Sequence, residues 1–326
     1  MDAREYLAFL MSFVNPDERE VQDFQFYIER RSQQTGQDWG SIIPLANKYG
    51  AYGDQWIVEK VILEPLLDNL EEQTASVLRD VPIGVLPIRA VNAHVLRSPL
   101  NEPVVIVDKG LMMMVSHYME SLVVSKYLFE QRGMEAAHIN LMNTYKFIVD
   151  YFANNGSMSY PLEYSKVPED YLLSSTLYTL AIETYIILHE LAHIYLGHFE
   201  DAETRSFSMV AEDKSTEHTI HVVQHKHRQE LEADIMAWRW YEQVRGKIQT
   251  VGDQHQATPI YFFALLNLVE KNLVVPDRFS SHPPAVMRAS ILSRLWESES
   301  YLDMVTSVPD AEDLATFIEQ NTDGTI

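Results

Sequence analysis

Apolar residues recur every three or four positions over most of this chain, the spacing that places them on one face of an α-helix. Asn15 and Pro16 precede an acidic first turn, which marks a helix start, and Gly133 interrupts a later run. The pattern therefore predicts a mostly helical protein. The segments with helical spacing are residues 1–14, 17–31, 55–73, 111–129, 134–152, 170–199, 228–244, 258–272 and 282–296.

Residues 81–108 show a different pattern. β-Branched runs at 83–96 and 103–108 are bounded by Pro, Asn and Gly, which predicts two or three strands and no others elsewhere. We therefore expect an α+β fold with a small mixed or antiparallel sheet. Residues 1–80 are expected to form an extra helical N-terminal region, and residues 81–326 the main domain.

The composition excludes several kinds of protein. The 25 basic and 47 acidic residues give a formal charge of -22, which repels nucleic acid and anionic membranes. The chain has no cysteine, so any metal must be held by His, Asp or Glu. Its first residues lack the basic start and cleavage site of a signal peptide, and we expect a cytoplasmic protein. The oligomeric state is not predicted.

The longest apolar run, residues 177–196, has nearly the length of a membrane span. It carries Glu183, His189, Glu190 and His193, which a lipid-facing helix would not tolerate. A buried helix of a globular protein fits better. Burying such groups costs several kcal/mol unless something pairs with them, so the run requires a partner.

A divalent cation is the partner that the motif suggests. His189, Glu190 and His193 form an H-E-x-x-H pattern; residues four apart share a helix face, so both imidazoles can point at one ion. Glu190 lies about 100° further round the helix, where it can reach a water on the metal. Chance alone would produce the pattern in roughly three such chains per hundred.

A catalytic zinc site needs a third protein ligand, and Glu230 is the best candidate. It stands in the sequence ELEAD, with Asp234 four residues later on the same helical face. Such an aspartate can accept the free ring N–H of a ligand histidine. Apolar neighbours on this segment favour a buried position over a solvated one.

Two other residues compete for the ligand role. Glu232 points to another helix face, and His198 falls roughly opposite His189 if the helix continues to Phe199, so we interpret His198 as structural. The remaining histidines of this region are expected at surface or loop positions. The polar segment 200–225 is expected to be a lid, a binding loop or a disordered loop. These histidines are His218, His221, His225 and His227.

The chain resembles gluzincin metallopeptidases, in particular the HtpX-like group and, more closely, the soluble phage-exclusion peptidase family named Lit. Four blocks in the same order carry the resemblance over residues 81–296. The last block contains an H-P-x-x-x-x-R element with His282 and Arg288. The blocks are VNAHVL...PVVIVDKGLM, ILHELAHIYLGH, RQELEADIMAWRW and SSHPPAVMRASIL.

The resemblance implies a zincin-like fold and hydrolysis of proteins or peptides with Zn2+ as cofactor. It makes Glu190 the catalytic acid/base. Near the metal, His282 and Arg288 would stabilise the oxyanion or gate the site, although Arg288 could equally form a salt bridge. Strand 103–108 would be the edge strand that holds an extended substrate. The zinc ligands would be His189, His193 and Glu230.

Other functions remain open at this stage. The chain could be a catalytically silent, zinc-stabilised interaction or sensor protein, although an intact Glu190 argues against a purely structural site. It could also be a regulator or toxin that cuts one host protein, or a hydrolase of non-peptide amides or esters. The natural substrate, the cleavage preference and the role of residues 1–80 cannot be predicted.

Overall fold

A computed structural model shows the protein as many helices around one sheet. A π-helical stretch, Ile57–Leu63, precedes α2. The described residues are 1–13, 55, 57–88, 90–153, 167–200, 203–210, 217–248, 251–252, 256–273, 282–295 and 300–322. Their α-helices are α1 (Ala3–Phe13), α2 (Glu64–Asn69), α3 (Glu72–Leu78), α4 (Lys109–Arg132), α5 (Met134–Ala153), α6 (Glu169–Tyr195), α7 (His227–Val244), α8 (Thr258–Asn272), α9 (Ala285–Leu295), α10 (Ser300–Thr306) and α11 (Ala311–Thr322).

The helices agree with the hydrophobic pattern. Predicted helical segments on described residues are helical over most of their length. The exceptions are a break between α2 and α3 at Leu70 and some terminal residues, including 196–199 after α6 and 282–284 before α9. Gly133 separates α4 from α5 with a φ of 89°, a conformation that side chains with a Cβ adopt only with strain. The helix predicted over 17–31 lies outside the described residues. The mostly helical prediction is therefore confirmed for the part of the chain that can be compared.

One five-stranded sheet runs in the order β1-β3-β2-β5-β4. The first and third strands are parallel, and the other neighbours are antiparallel. The predicted small mixed sheet and the α+β class are thus confirmed. The strands are β1 (Ile83–Leu86), β2 (Ala93–Arg97), β3 (Pro103–Asp108), β4 (Glu203–Val210) and β5 (Glu217–Gln224).

The prediction of a loop over residues 200–225 was wrong for β4 and β5. The two strands pair from Glu203 with Gln224 to Val210 with Glu217. Val222 joins this hairpin to Leu96 of β2. The sequence is polar and has no clean alternation, so its strand state follows from pairing with distant residues more than from local preference.

The expectation that residues 103–108 form a substrate-binding edge was also wrong. β3 lies between β1 and β2, and both of its sides are engaged in register. A strand paired on both sides has no free backbone groups for an added substrate strand.

The sheet separates two apolar clusters because successive side chains of a strand point to opposite faces. Val105 and Val107 belong to the large cluster formed with the helices. Val104 and Ile106 belong to a smaller cluster with α1. An added Cβ at Gly84 would overlap Leu7 of α1, so this glycine permits the close approach of helix and strand.

α6 runs through the large cluster and carries the H-E-x-x-H motif. Every residue from 181 to 193 is buried, which explains why the run is apolar on all sides. No helix in the described ranges is long and apolar enough to cross a bilayer. The proposed division of the chain at residue 80 stays a prediction.

Candidate metal centre

Two histidines of α6 and a glutamate of α7 meet in the interior. The Nε2 atoms of His189 and His193 lie 3.2 Å apart. Oε2 of Glu230 lies 3.4 Å from Nε2 of His189, and Oε1 lies 3.4 Å from Nε2 of His193. One donor atom from each residue lies within 4.8 Å of the others. The structure therefore brings together the three residues proposed as ligands, and this group can hold a metal ion.

The start of α7 places Glu230 against α6. β5 ends at Gln224 and α7 begins at His227, so only two residues connect the sheet to the helix. The backbone N–H of Lys226 donates a 2.8 Å hydrogen bond to Oε1 of Gln229, which helps to fix the first helical turn. Glu230 follows in that turn and is fully buried, at 0% exposure.

The surroundings of Glu230 fit a cation. Among the described residues, neither of its buried carboxylate oxygens accepts a well-aligned hydrogen bond. Burial alone would raise the pKa of Glu230, but its contacts with His282, His189 and His193 together hold it well below its ordinary value. A buried carboxylate that stays charged requires a positive partner, and a divalent ion between these donors would supply it. Two imidazoles and a carboxylate suit zinc.

A buried ion pair lies behind His189. The Nδ1 atom of His189 lies 3.0 Å from Oδ1 of Asp234. Arg288 donates two hydrogen bonds of 2.7 Å to the Asp234 carboxylate, from Nε and Nη2. The Tyr185 hydroxyl donates a third hydrogen bond of 3.2 Å. Burial disfavours the charged imidazole, but Asp234 and Glu230 together raise the pKa of His189 to about 9.

Glu190 occupies a different environment. It is 8% exposed, and burial raises its pKa to about 7, while the nearby charges of His189 and Glu230 act in opposite directions. A carboxyl with this pKa exchanges its proton near neutral pH. The motif glutamate thus has the property that a general base needs.

His282 and Arg288 both approach the group. Nδ1 of His282 lies 2.7 Å from Oε2 of Glu230, and its side chain is 35% exposed. Nη2 of Arg288 lies 3.5 Å from Nε2 of His189 and 3.9 Å from Oε2 of Glu230. The salt bridge that the sequence left open for Arg288 is present, with Asp234 as its partner.

Glu232 and His198, the competing ligands, lie beside the group. Nδ1 of His198 lies 3.1 Å from Nδ1 of His193, and its Nε2 lies 3.3 Å from Oε2 of Glu232. The expected position of His198 opposite His189 was wrong, because α6 ends at Tyr195.

His225 is a site residue that the sequence did not single out. Its ring stacks on His193, with the centroids 3.6 Å apart and an angle of 16° between the rings. The expected loop position is confirmed, because His225 lies between β5 and α7, but both ring nitrogens are buried without a hydrogen-bond partner among the described residues. Burial lowers the pKa of His225 to about 4. Its place two residues before α7 was the available signal.

The sequence model of Peptidase U49, a peptidase family, matches residues 135–297. This stretch covers half of the 326 residues. It runs from α5 to the end of α9 and contains His189, His193 and Glu230. No curated protein and no solved structure matches the chain. The match agrees with the resemblance to a Lit-like family.

Proposed function

Because this chain belongs to the Peptidase U49 family, we propose that it is a zinc-dependent endopeptidase with His189, His193 and Glu230 as metal ligands. The observation that carries the proposal is the position of Glu230. Its carboxylate is fully buried, stays charged and faces the Nε2 atoms of both motif histidines at 3.4 Å. An ion at this point would compensate the buried charge and join two helices.

Glu190 is the proposed general base. Bound zinc would polarise the scissile carbonyl and lower the pKa of a water ligand towards about 7. Glu190 takes a proton from the attacking water and passes it to the leaving amine. In the metal-free protein, burial raises the pKa of Glu190 to about 7, which lies in the range that suits a general base at neutral pH.

The neighbouring residues would orient a ligand histidine and stabilise the oxyanion. Asp234 holds the ring of His189 and is itself held by Arg288. His282, which is partly exposed beside Glu230, is the proposed hydrogen-bond donor to the developing oxyanion. Nη2 of Arg288 adds positive charge on the same side.

We also propose that the enzyme is a metallopeptidase of the gluzincin type. An H-E-x-x-H helix followed by a glutamate on a later helix is the gluzincin arrangement, within a zincin-like domain over residues 81–326 and an extra helical region over residues 1–80. We also propose that the protein acts on polypeptides in the cytoplasm. Its formal charge of -22 disfavours nucleic acid and anionic membranes as partners. A Lit-like role in phage exclusion belongs to this proposal.

Mapping of new protein termini tests the proposal. Wild-type protein and its Glu190→Gln variant are incubated with a cell extract, and the termini that arise are identified by mass spectrometry. We expect termini that only the wild type produces and that 1,10-phenanthroline abolishes. Many sites would indicate a general peptidase, and one site in one protein a regulator or toxin.

Metal analysis of the same samples separates the peptidase from a silent zinc protein. We expect the Glu190→Gln variant to retain its zinc, because the substituted residue is not a ligand. Zinc in both proteins with identical termini would contradict the peptidase proposal and favour an interaction or sensor protein. Cleavage of small esters or amides without cleavage of proteins would favour the non-peptide hydrolase.

A further inference from the structure

His193 begins a chain of contacts that leads from its ring to the protein surface. Its Nδ1 lies 3.1 Å from Nδ1 of His198, and Nε2 of His198 lies 3.3 Å from Oε2 of Glu232. His198 is 6% exposed, whereas the Glu232 side chain is 39% exposed and pairs with Arg228 at 2.8 Å.

We propose that His198 and Glu232 are positioning residues that fix the ring of His193 for metal binding, an inference that rests on the proposed function. The two contacts determine where the protons lie. Nε2 of His193 must be free to bind the ion, so a neutral His193 carries its proton on Nδ1 and donates it to Nδ1 of His198. The proton of His198 then lies on Nε2, where it is donated to the Glu232 carboxylate.

The end of α6 builds this contact from the backbone. Gly197 has a φ of 73°, and its N–H donates to the carbonyl of Ile194 at 3.0 Å. The N–H of His198 donates to the carbonyl of His193 at 2.9 Å. These two bonds form a Schellman motif, which turns the chain back over the last turn of the helix. The motif brings His198 onto His193, although a continuing helix would carry it away.

A strand holds the same turn from the other side. The guanidinium of Arg97 in β2 donates to the carbonyl of Phe199 and lies 4.1 Å from the centre of its ring. The residue after His198 is therefore tied to β2, while the residues before it end α6. A backbone fixed on both sides favours one position of the His198 ring as the acceptor for His193.

The two motif histidines thus have unlike supports. Nδ1 of His189 meets Asp234, whose charge Arg288 neutralises in the interior. Nδ1 of His193 meets a neutral ring, and the carboxylate that completes the chain lies at the surface. Groups that orient ligand histidines commonly contribute roughly 10- to 100-fold to metal affinity. We expect a contribution of this size from His198 and a smaller one from Glu232, which acts through it.

Zinc competition against a fluorescent chelator measures this contribution without reference to activity. The variant His198→Ala should bind zinc roughly 10- to 100-fold more weakly than the wild type. His198→Asn should recover most of the loss, because its amide oxygen can accept a hydrogen bond near the position of Nδ1. Glu232→Ala should show a smaller loss, and His227→Ala, at the exposed start of α7, should bind as tightly as the wild type.

Nitrogen NMR of the zinc-loaded wild type tests the proton positions without any substitution. The account requires a proton on Nδ1 of His193 and on Nε2 of His198. A His198 proton on Nδ1, or a His198→Ala variant with wild-type affinity, would overturn the positioning role and leave the proposed zinc site standing. If the wild type binds no zinc, the proposed function and this inference fall together. If the alanine variant does not fold, the asparagine variant and the NMR spectra still decide.

Discussion

Asp234 and Glu190 are buried carboxyl groups that both interact with His189, and their environments drive their pKa values apart. Asp234 accepts two hydrogen bonds from Arg288 and one from Tyr185. Burial alone would raise its pKa, but Arg288 and His189 hold it below the ordinary value. At Glu190 burial prevails and the pKa rises to about 7. Burial therefore does not by itself determine the role of a carboxyl group. The paired guanidinium of Arg288 keeps Asp234 charged, whereas Glu190 makes no such ion pair with the described residues and can exchange a proton.

The substitution Asp234→Ala should have the largest effect on the free energy of unfolding. Asp234→Ala leaves the buried guanidinium of Arg288 without its partner, which typically costs about 3–5 kcal/mol of unfolding free energy. Urea denaturation of the metal-free protein measures the loss. Glu232→Ala on the same helix is the matched control, since its carboxylate is 39% exposed and should shift the midpoint much less. Equal midpoints for the two variants would contradict a structural role for the ion pair.

The substitution Glu190→Gln should raise the free energy of unfolding, whereas Asp234→Ala lowers it. In the metal-free protein the folded pKa is about 7 and the ordinary value is 4.5. Between these values the unfolded chain releases the proton and the folded chain keeps it, so stability falls as pH rises. The variant avoids this loss and should be about 3 kcal/mol more stable than the wild type above pH 7.

Urea denaturation across pH 4–8 in the presence of a chelator checks this result. The stability difference between Glu190→Gln and wild type should be small near pH 4 and should grow up to pH 7. A difference that does not change with pH would show that folding leaves the pKa of Glu190 at its ordinary value, and the comparison with Asp234 would fail.

The smallest effect should come from Tyr185→Phe. This change removes one 3.2 Å hydrogen bond to Asp234 and leaves the two bonds from Arg288 in place. Hydrogen bonds to charged groups contribute about 1.5–3 kcal/mol, and we expect the lower end for a contact of this length. Thermal unfolding measures the shift. A loss as large as that of Asp234→Ala would mean that the hydroxyl, and not the guanidinium, holds the carboxylate.

The sequence predicted the helices up to α9, the first three strands and the group formed by His189, His193 and Glu230, but it did not predict α10 and α11. These features depend on local spacing: periods of three to four residues for helices, and a separation of four residues for the two histidines. Glu230 was found because it lies on an amphipathic helix with Asp234 one turn further on. Local patterns were sufficient for all of these features.

The features that the sequence did not predict depend on residues far apart in the chain. β4 and β5 are polar, and their strand state follows from pairing with each other and with β2 through Val222. The contact of His198 with His193 was missed because the predicted helix continued to Phe199. Gly197 was the signal that could have corrected this, since glycine just after a helix favours the left-handed turn that ends it.

Zinc K-edge X-ray absorption on the zinc-loaded protein tests the central claim most directly. The account predicts one tightly bound zinc with two imidazole nitrogens at about 2.0–2.1 Å, a carboxylate oxygen and one further light atom. Glu230→Ala should lower the zinc content and remove the carboxylate contribution, whereas Glu190→Gln should leave the spectrum unchanged. Full zinc occupancy with an unaltered spectrum in the Glu230→Ala protein would contradict the account.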